Sequence, residues 1–137
     1  MKYLSDYLDN ELADAFNKYG AFFAFGDKQL NEQKKEGVMY VSCGAGLFCP
    51  KSNFSEFNDT LTAIFNNAIK QDVKENGASG IIEREYFNHE TQISGDCSDL
   101  RDSLKPYAKD YPELFSEEII NDVCKKSFQL AIEKDWF

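Results

Sequence analysis

The sequence predicts an α+β fold: a small, largely antiparallel sheet packed against two long amphipathic helices, plus short helices. Three observations support this fold class. Residues 38–41 form an uncharged β-branched and aromatic run, which is typical of a buried strand. The glycines at 44 and 46 permit a sharp turn because glycine tolerates positive φ. Residues 53–76 and 116–134 then carry apolar side chains at helical spacing.

The glycine turn predicts a tight hairpin with strands at 38–43 and 46–49, and Pro50 ends the second strand by removing a backbone donor. The apolar run 21–25 is too short for a helix and is the predicted third strand. Before it, residues 5–19 have helical periodicity, a cap at Ser5 or Asp6 and a stop at Gly20. A short polar helix is predicted over 28–36.

The long helix 53–76 should end at Gly77, within a polar turn over 74–80. Further short elements follow: a helix at 81–90, a loop or a strand around Ile93 over 91–97, and a helix near 100–104 that Ser98 or Asp99 caps and Pro106 interrupts or restarts. Ser116 caps the last helix, with two acids in its first turn. The inward stripe of that helix is predicted to be Ile120, Val123, Cys124, Phe128, Ala131 and Ile132.

Length and composition predict a single globular domain over 1–137, because 42% hydrophobic residues can supply a substantial core. The apolar runs are too short for a membrane span. Acids near the N-terminus occupy positions where a signal peptide would need apolar residues. We therefore expect a cytoplasmic protein, in which the four cysteines are reduced thiols. A disulfide between Cys43 and Cys49, across the glycine turn, would require an oxidising compartment.

The net charge of −9 argues against binding to nucleic acid by counterion release and favours a basic protein partner. Residues 83–102 contribute −4 of that charge. A rigid array of carboxylates can mimic a phosphate backbone. The predicted partner-binding acidic face consists of Glu83, Glu85, Glu90, Asp96, Asp99 and Asp102.

His89 is the only histidine and lies one helical turn after Glu85, so the two side chains are expected to pair if the helix holds. One alternative function follows from this pair: a small metal-assisted hydrolase in which Asp96 or Asp99 adds oxygen ligands. No nucleophile–base pair, metal cluster or phosphate-binding loop has the required spacing. We therefore predict no catalytic residues, no metal and no cofactor.

Three segments resemble a group of small uncharacterised acidic proteins from phages and prophages of low-GC Gram-positive bacteria. The segments are Gly20–Gln29, Gly37–Pro50 and Glu85–Glu90, and the resemblance extends from about residue 10 to residue 99. It implies a setting rather than an activity, since small acidic phage proteins often inhibit host machinery, as anti-CRISPR proteins do.

The predicted function is thus that of an acidic phage-type accessory protein. It would bind and inhibit a basic host protein, such as a nucleic-acid-binding effector, without binding nucleic acid or membrane itself. A second alternative is a homodimeric structural protein, because a Phe-rich chain can leave an apolar face uncovered.

Overall fold

Six α-helices and three β-strands make up the chain, and the computed structural model describes residues 1–137. The predicted α+β class, with a small antiparallel sheet, is confirmed. A short 3₁₀ helix, Lys51–Asn53, links the last strand to α3. The elements are α1 Leu4–Tyr19, β1 Phe22–Phe23, α2 Asp27–Gln33, β2 Tyr40–Ser42, β3 Leu47–Pro50, α3 Phe54–Asn88, α4 Thr91–Ser94, α5 Ser98–Asp110 and α6 Glu117–Lys134.

The chain divides into two compact units. One comprises Ser5–Ala68, and the other comprises Met1–Leu4 together with Ile69–Phe137. We call them the sheet unit and the helical unit. The boundary falls inside α3, after Ala68. The expectation of a single domain over 1–137 stays a prediction.

The sheet unit is built on the predicted hairpin. β3 pairs antiparallel with both neighbours, giving the strand order β1-β3-β2. Phe22 lies opposite Phe48, and its ring centroid is 5.5 Å from that of Tyr40 on the other edge strand. Aromatic contacts of this kind stabilise a short sheet across its strands. The third strand is shorter than predicted, with two residues in place of 21–25.

The sheet unit also contains α1 and the first part of α3, which contact each other through Phe57 of α3. This side chain is almost fully buried. Its ring centroid lies 5.7 Å from that of Phe16 and 5.9 Å from that of Tyr19, both on α1. The side-chain amide of Asn53 donates a hydrogen bond of 2.9 Å to the backbone carbonyl of Tyr19. This bond satisfies a carbonyl that the end of α1 would otherwise leave unpaired.

Gly77 interrupts α3 with φ 69° and ψ 167°, and the helix resumes after it and continues to Asn88. The predicted break at Gly77 is therefore present. The predicted turn over 74–80 is wrong in extent, because one glycine with positive φ produces the whole kink.

Two expectations for the following segment are also wrong. Thr91–Ser94 forms one helical turn rather than a loop or strand, and it lies between two left-handed residues, Glu90 and Gly95. α5 starts after Cys97 and continues through Pro106 instead of breaking there. Pro106 and Asp102 are both exposed, so water can bond the carbonyl that the proline leaves without a helical donor.

The helical unit has a continuous apolar core contributed by α3, α5, α6 and the loop between the last two. Ile81, Ile82, Leu100 and Leu104 are its most buried aliphatic members. Ser116 caps α6 as predicted, since its hydroxyl accepts a hydrogen bond of 3.3 Å from the backbone N–H of Ile119. No helix has the length and apolar character needed to cross a membrane.

The hairpin turn generates a stability prediction at Gly46. A Cβ atom there would lie 2.5 Å from Cε1 of Phe25 and 3.2 Å from the carbonyl oxygen of Ala24. We expect Gly46→Ala to lower the free energy of unfolding by about 2 kcal/mol or more, because left-handed strain of about 1–2 kcal/mol adds to the tight contact with the Ala24 carbonyl oxygen, whereas the exposed ring of Phe25 is free to rotate away. Urea unfolding measures the change.

Gly44→Ala is the matched control. Gly44 also has positive φ, but a Cβ atom there would meet nothing within 4 Å. It should therefore show the strain alone, about 1–2 kcal/mol. Equal losses in the two variants would contradict an added cost from the close approach of the Ala24 carbonyl oxygen to position 46.

Candidate functional site

Five of the six acids of the predicted acidic face reach the surface of the helical unit. Glu90, Asp96, Asp99 and Asp102 are exposed, and Glu83 is half-buried. Glu85 is buried, and its carboxylate lies 2.9 Å from Nε of Arg84 and 3.3 Å from Nε2 of His89. The structure thus leaves Glu85 outside the exposed face.

The exposed acids differ in how far neighbouring groups neutralise them. Asp102 lies 2.8 Å from the ammonium of Lys105. One carboxylate oxygen of Asp96 accepts hydrogen bonds from both the backbone N–H and the hydroxyl of Ser98, which lower the pKa of Asp96. Glu90 and Asp99 form no ion pair. Among the exposed acids of the segment, Glu90 and Asp99 therefore have the least compensated charge.

The helical unit also contains a buried ionic network. Asp72, on α3 before the Gly77 kink, has an exposed fraction of 0%. The guanidinium of Arg84, after the kink, pairs with it at two points, 2.9 Å from Nη1 to Oδ1 and 3.1 Å from Nη2 to Oδ2. Bidentate pairs of this kind are the strong ones in proteins. The side chain of Asn76 adds a hydrogen bond of 2.7 Å to Asp72.

All the donors of the Arg84 guanidinium find acceptors. Nε donates to Glu85, Nη1 to Asp72 and to the backbone carbonyl of Lys2, and Nη2 to Asp72 and to the hydroxyl of Tyr107. The Tyr107 hydroxyl donates in turn to Asp72. A guanidinium has five N–H groups, so this buried charge is fully hydrogen-bonded.

The network shifts the pKa of two of its members. Burial lowers the pKa of Arg84, but the hydrogen bonds to Asp72 and Tyr107 outweigh it, and the net direction is upward. Burial, followed by the hydrogen bond to Asp72, raises the pKa of Tyr107. Arg84 therefore stays charged and Tyr107 stays neutral at physiological pH, which is the combination that the observed hydrogen bonds require.

The predicted pairing of Glu85 with His89 is confirmed by the distance of 3.3 Å between them. That contact is within ion-pair range but is not aligned as a hydrogen bond, and Nε2 of His89 has no other hydrogen-bond partner. No three His, Cys, Asp or Glu side chains come together in a way that could hold a metal ion. The oxygens that the hydrolase alternative expects from Asp96 or Asp99 do not join the pair in such a group.

The four cysteines are free thiols. Val41 lies opposite Cys49, and Cys43 bonds to Leu47, so Cys43 and Cys49 occupy diagonal positions of the hairpin. Diagonal side chains are about 7–8 Å apart, which is too far for a disulfide without backbone movement. Burial raises the pKa of both thiols, so they are poor nucleophiles at neutral pH.

A groove of about 850 Å³ lies on the helical unit between α6 and the part of α3 after the kink, and Leu114 of the loop before α6 also lines it. Its apolar lining is contributed by Ala78, Leu114, Ile119, Val123 and Leu130. Its charged residues are Glu83, Glu118, Asp122, Lys126 and Glu133. Lys126 lies 3.1 Å from Asp122, so the one cation is already paired.

Sequence reasoning missed both the network and the groove. One signal for the network was available: Asp72 lies four residues after Ala68 and eight after Ile64, on the buried stripe of α3. A charge at an inward position needs a partner, but the sequence does not say that Arg84 and Tyr107 supply it. The groove is a product of how helices pack, and periodicity does not reveal it.

Comparison with known proteins gives one match. The model of a family of unknown function, DUF7659, matches residues 4–130. No curated protein and no solved structure shows significant similarity to the chain.

The network generates a prediction at Asp72. Asp72→Asn removes the charge that compensates Arg84 in a buried site, and breaking such a pair costs about 3–5 kcal/mol. The control is Asp102→Asn, the same chemical change in the exposed pair with Lys105, which should cost less than about 1 kcal/mol. Chemical denaturation of both variants measures the difference in the free energy of unfolding. Similar losses of stability in the two variants would show that the buried pair contributes little to the stability of the protein.

A second prediction concerns pH. Because the pKa of Tyr107 is raised in the folded state, its neutral hydroxyl contributes stability below about pH 10, where an unfolded tyrosine begins to ionise. That contribution is lost as the pH rises further. Tyr107→Phe should cost about 1–2 kcal/mol at pH 8, and the gap to the wild type should narrow above about pH 10. Urea midpoints at pH 8, 10 and 11 test this, and a constant gap would contradict it.

Proposed function

The chain belongs to the DUF7659 family, whose function is unknown, and we propose that it is an acidic binding protein that docks on a basic surface of another protein. The observation that carries the proposal is the exposed, largely uncompensated acidic segment of the helical unit. Glu90 and Asp99 have no ion pair, and Asp96 is held in its ionised form by Ser98.

The arrangement of these carboxylates suits recognition of cations. Asp96 is fixed by its two hydrogen bonds to Ser98, and Asp99 lies in the first turn of α5. Glu90 adopts a left-handed conformation between α3 and α4. The carboxylate of Asp96, which these bonds hold in place, loses little conformational freedom on binding. Complementary potentials also accelerate encounter, and this acceleration falls as salt increases.

We extend the proposal to the setting that the resemblance to phage proteins implies. There the protein would act in the host cytoplasm, and its partner would be a basic host protein such as a nucleic-acid-binding effector. The carboxylates would occupy the surface that otherwise contacts phosphates, which would inhibit the partner. The proposed activity requires no metal or cofactor.

Two of the side chains named in the hydrolase alternative, Glu85 and Asp96, already have structural roles. Glu85 belongs to the buried network through Arg84, and Asp96 forms a turn with Ser98. We therefore favour binding over hydrolysis.

The test of this proposal is capture of a partner from a host lysate at low and at moderate salt. The double variant Glu90→Lys/Asp99→Lys should lower the captured amount of a basic partner at least about tenfold, as expected for loss of two charges at an electrostatic interface. The control is Asp110→Lys/Glu113→Lys, which reverses two exposed acids outside the segment. Both double variants change the net charge from −9 to −5.

The control should retain binding within about twofold, since charges at a distance are largely screened. A captured partner that is acidic or neutral would contradict the proposal. Equal losses of captured partner in the two double variants would also contradict it, because they would show that binding depends only on the net charge of the protein.

A further inference from the structure

We infer that the groove between α3 and α6 is a binding site for a basic amphipathic helix. The inference rests on the proposed function and names the kind of segment that the partner would supply. It starts from the chemistry of the groove, which combines an apolar floor with an acidic rim.

The floor offers unpartnered apolar surface. Leu114 is 44% exposed, and Ile119 and Leu130 are half-buried. Leu114 and Leu130 lie outside the residues that form the core of the unit. Leucines in this position lose their remaining solvent contact only when something fills the groove, and burial of that apolar surface favours binding.

The rim selects the charge of the occupant. Glu83, Glu118 and Glu133 form no ion pair within the protein. Asp122 and Lys126 neutralise each other, so the groove carries a net charge of about −3. A partner with an apolar stripe flanked by lysines or arginines complements both parts, whereas an acidic helix would be repelled.

The walls of the groove select a helix rather than a strand. Both walls are α-helices, whose backbone groups are already bonded internally, so no free sheet edge is available for an added strand. The lining residues on α6 run from Glu118 to Glu133, which at 1.5 Å per residue is about 22 Å. A helix of about four turns, the usual size of a helix-in-groove ligand, fits along α6, and the α3 wall, from Ala78 to Glu83, flanks about 8 Å of it.

The probe for the test is a labelled synthetic peptide of about 18 residues, with leucines on one helical face and lysines on the other. One control peptide has the same composition with the leucines distributed around the helix. A second control replaces every lysine with glutamate. Fluorescence anisotropy with the full chain should show binding of the first peptide at least about tenfold tighter than either control.

Protein variants locate the site. Leu114→Gln/Leu130→Gln should weaken binding about tenfold at all salt concentrations, because it removes apolar contacts. Glu118→Lys/Glu133→Lys should weaken it about tenfold at low salt and less at higher salt. Ser79→Trp places a large side chain at an exposed position of the lining and should block the groove without altering the core. Circular dichroism and melting temperature establish that each variant is folded.

The outcomes separate this inference from the proposed function. If the peptide binds and only Glu90→Lys/Asp99→Lys weakens it, the exposed acidic segment is the binding surface and the groove inference is wrong. Equal binding of the scrambled peptide, or no effect of Leu114→Gln/Leu130→Gln and Ser79→Trp, also overturns it. A wild-type dimer in sedimentation that Ser79→Trp dissociates would show that a second copy covers the groove, which contradicts a helical ligand.

Discussion

The buried guanidinium of Arg84 is the constraint on which the helical unit depends. It binds the segment before α1 through the carbonyl of Lys2, the first part of α3 through Asp72, and α5 through Tyr107. Removing a guanidinium from water is expensive unless every donor is bonded. Because all the partners must be present together, the network allows few alternative arrangements of these three segments. The apolar core stabilises the unit, and the network adds directional bonds that only this arrangement of the three segments satisfies.

The ion pair between Asp72 and Arg84 also affects which neighbouring acids reach the surface. Gly77 breaks α3 between Asp72 and Arg84, and the ion pair fixes how the second part of the helix is rotated after the break. With Arg84 and Glu85 buried, the preceding residue, Glu83, lies at the groove. Exposed acids follow from Glu90 onward. The burial of Glu85 beside Arg84 and the position of Glu83 at the groove therefore accompany this one buried ion pair.

Features determined by neighbouring residues could be predicted from the sequence. The glycine hairpin, the Ser116 cap and the pairing of Glu85 with His89 each depend on residues within one turn or one hairpin. Features determined by distant residues could not. Phe128 and Ile132 were expected on the inward face of α6 but are 44% and 50% exposed. The helix buries Ile120, Val123 and Ala131, which form a narrower stripe than periodicity alone predicts. Asp72, in contrast, is fully buried, because Arg84 and Tyr107 make its burial possible.

The two acidic surfaces of the helical unit are suited to different steps of one binding event. The segment containing Glu90 and Asp99 is exposed, so its charges act mainly at long range, on the rate of encounter. The groove combines carboxylates with leucines that a partner can bury, and apolar burial mainly controls the rate of dissociation. A partner recognised by both surfaces would need a basic face continuous with a basic amphipathic helix. Such a requirement is more selective than charge alone, because it excludes basic proteins that have no helix of this kind to insert.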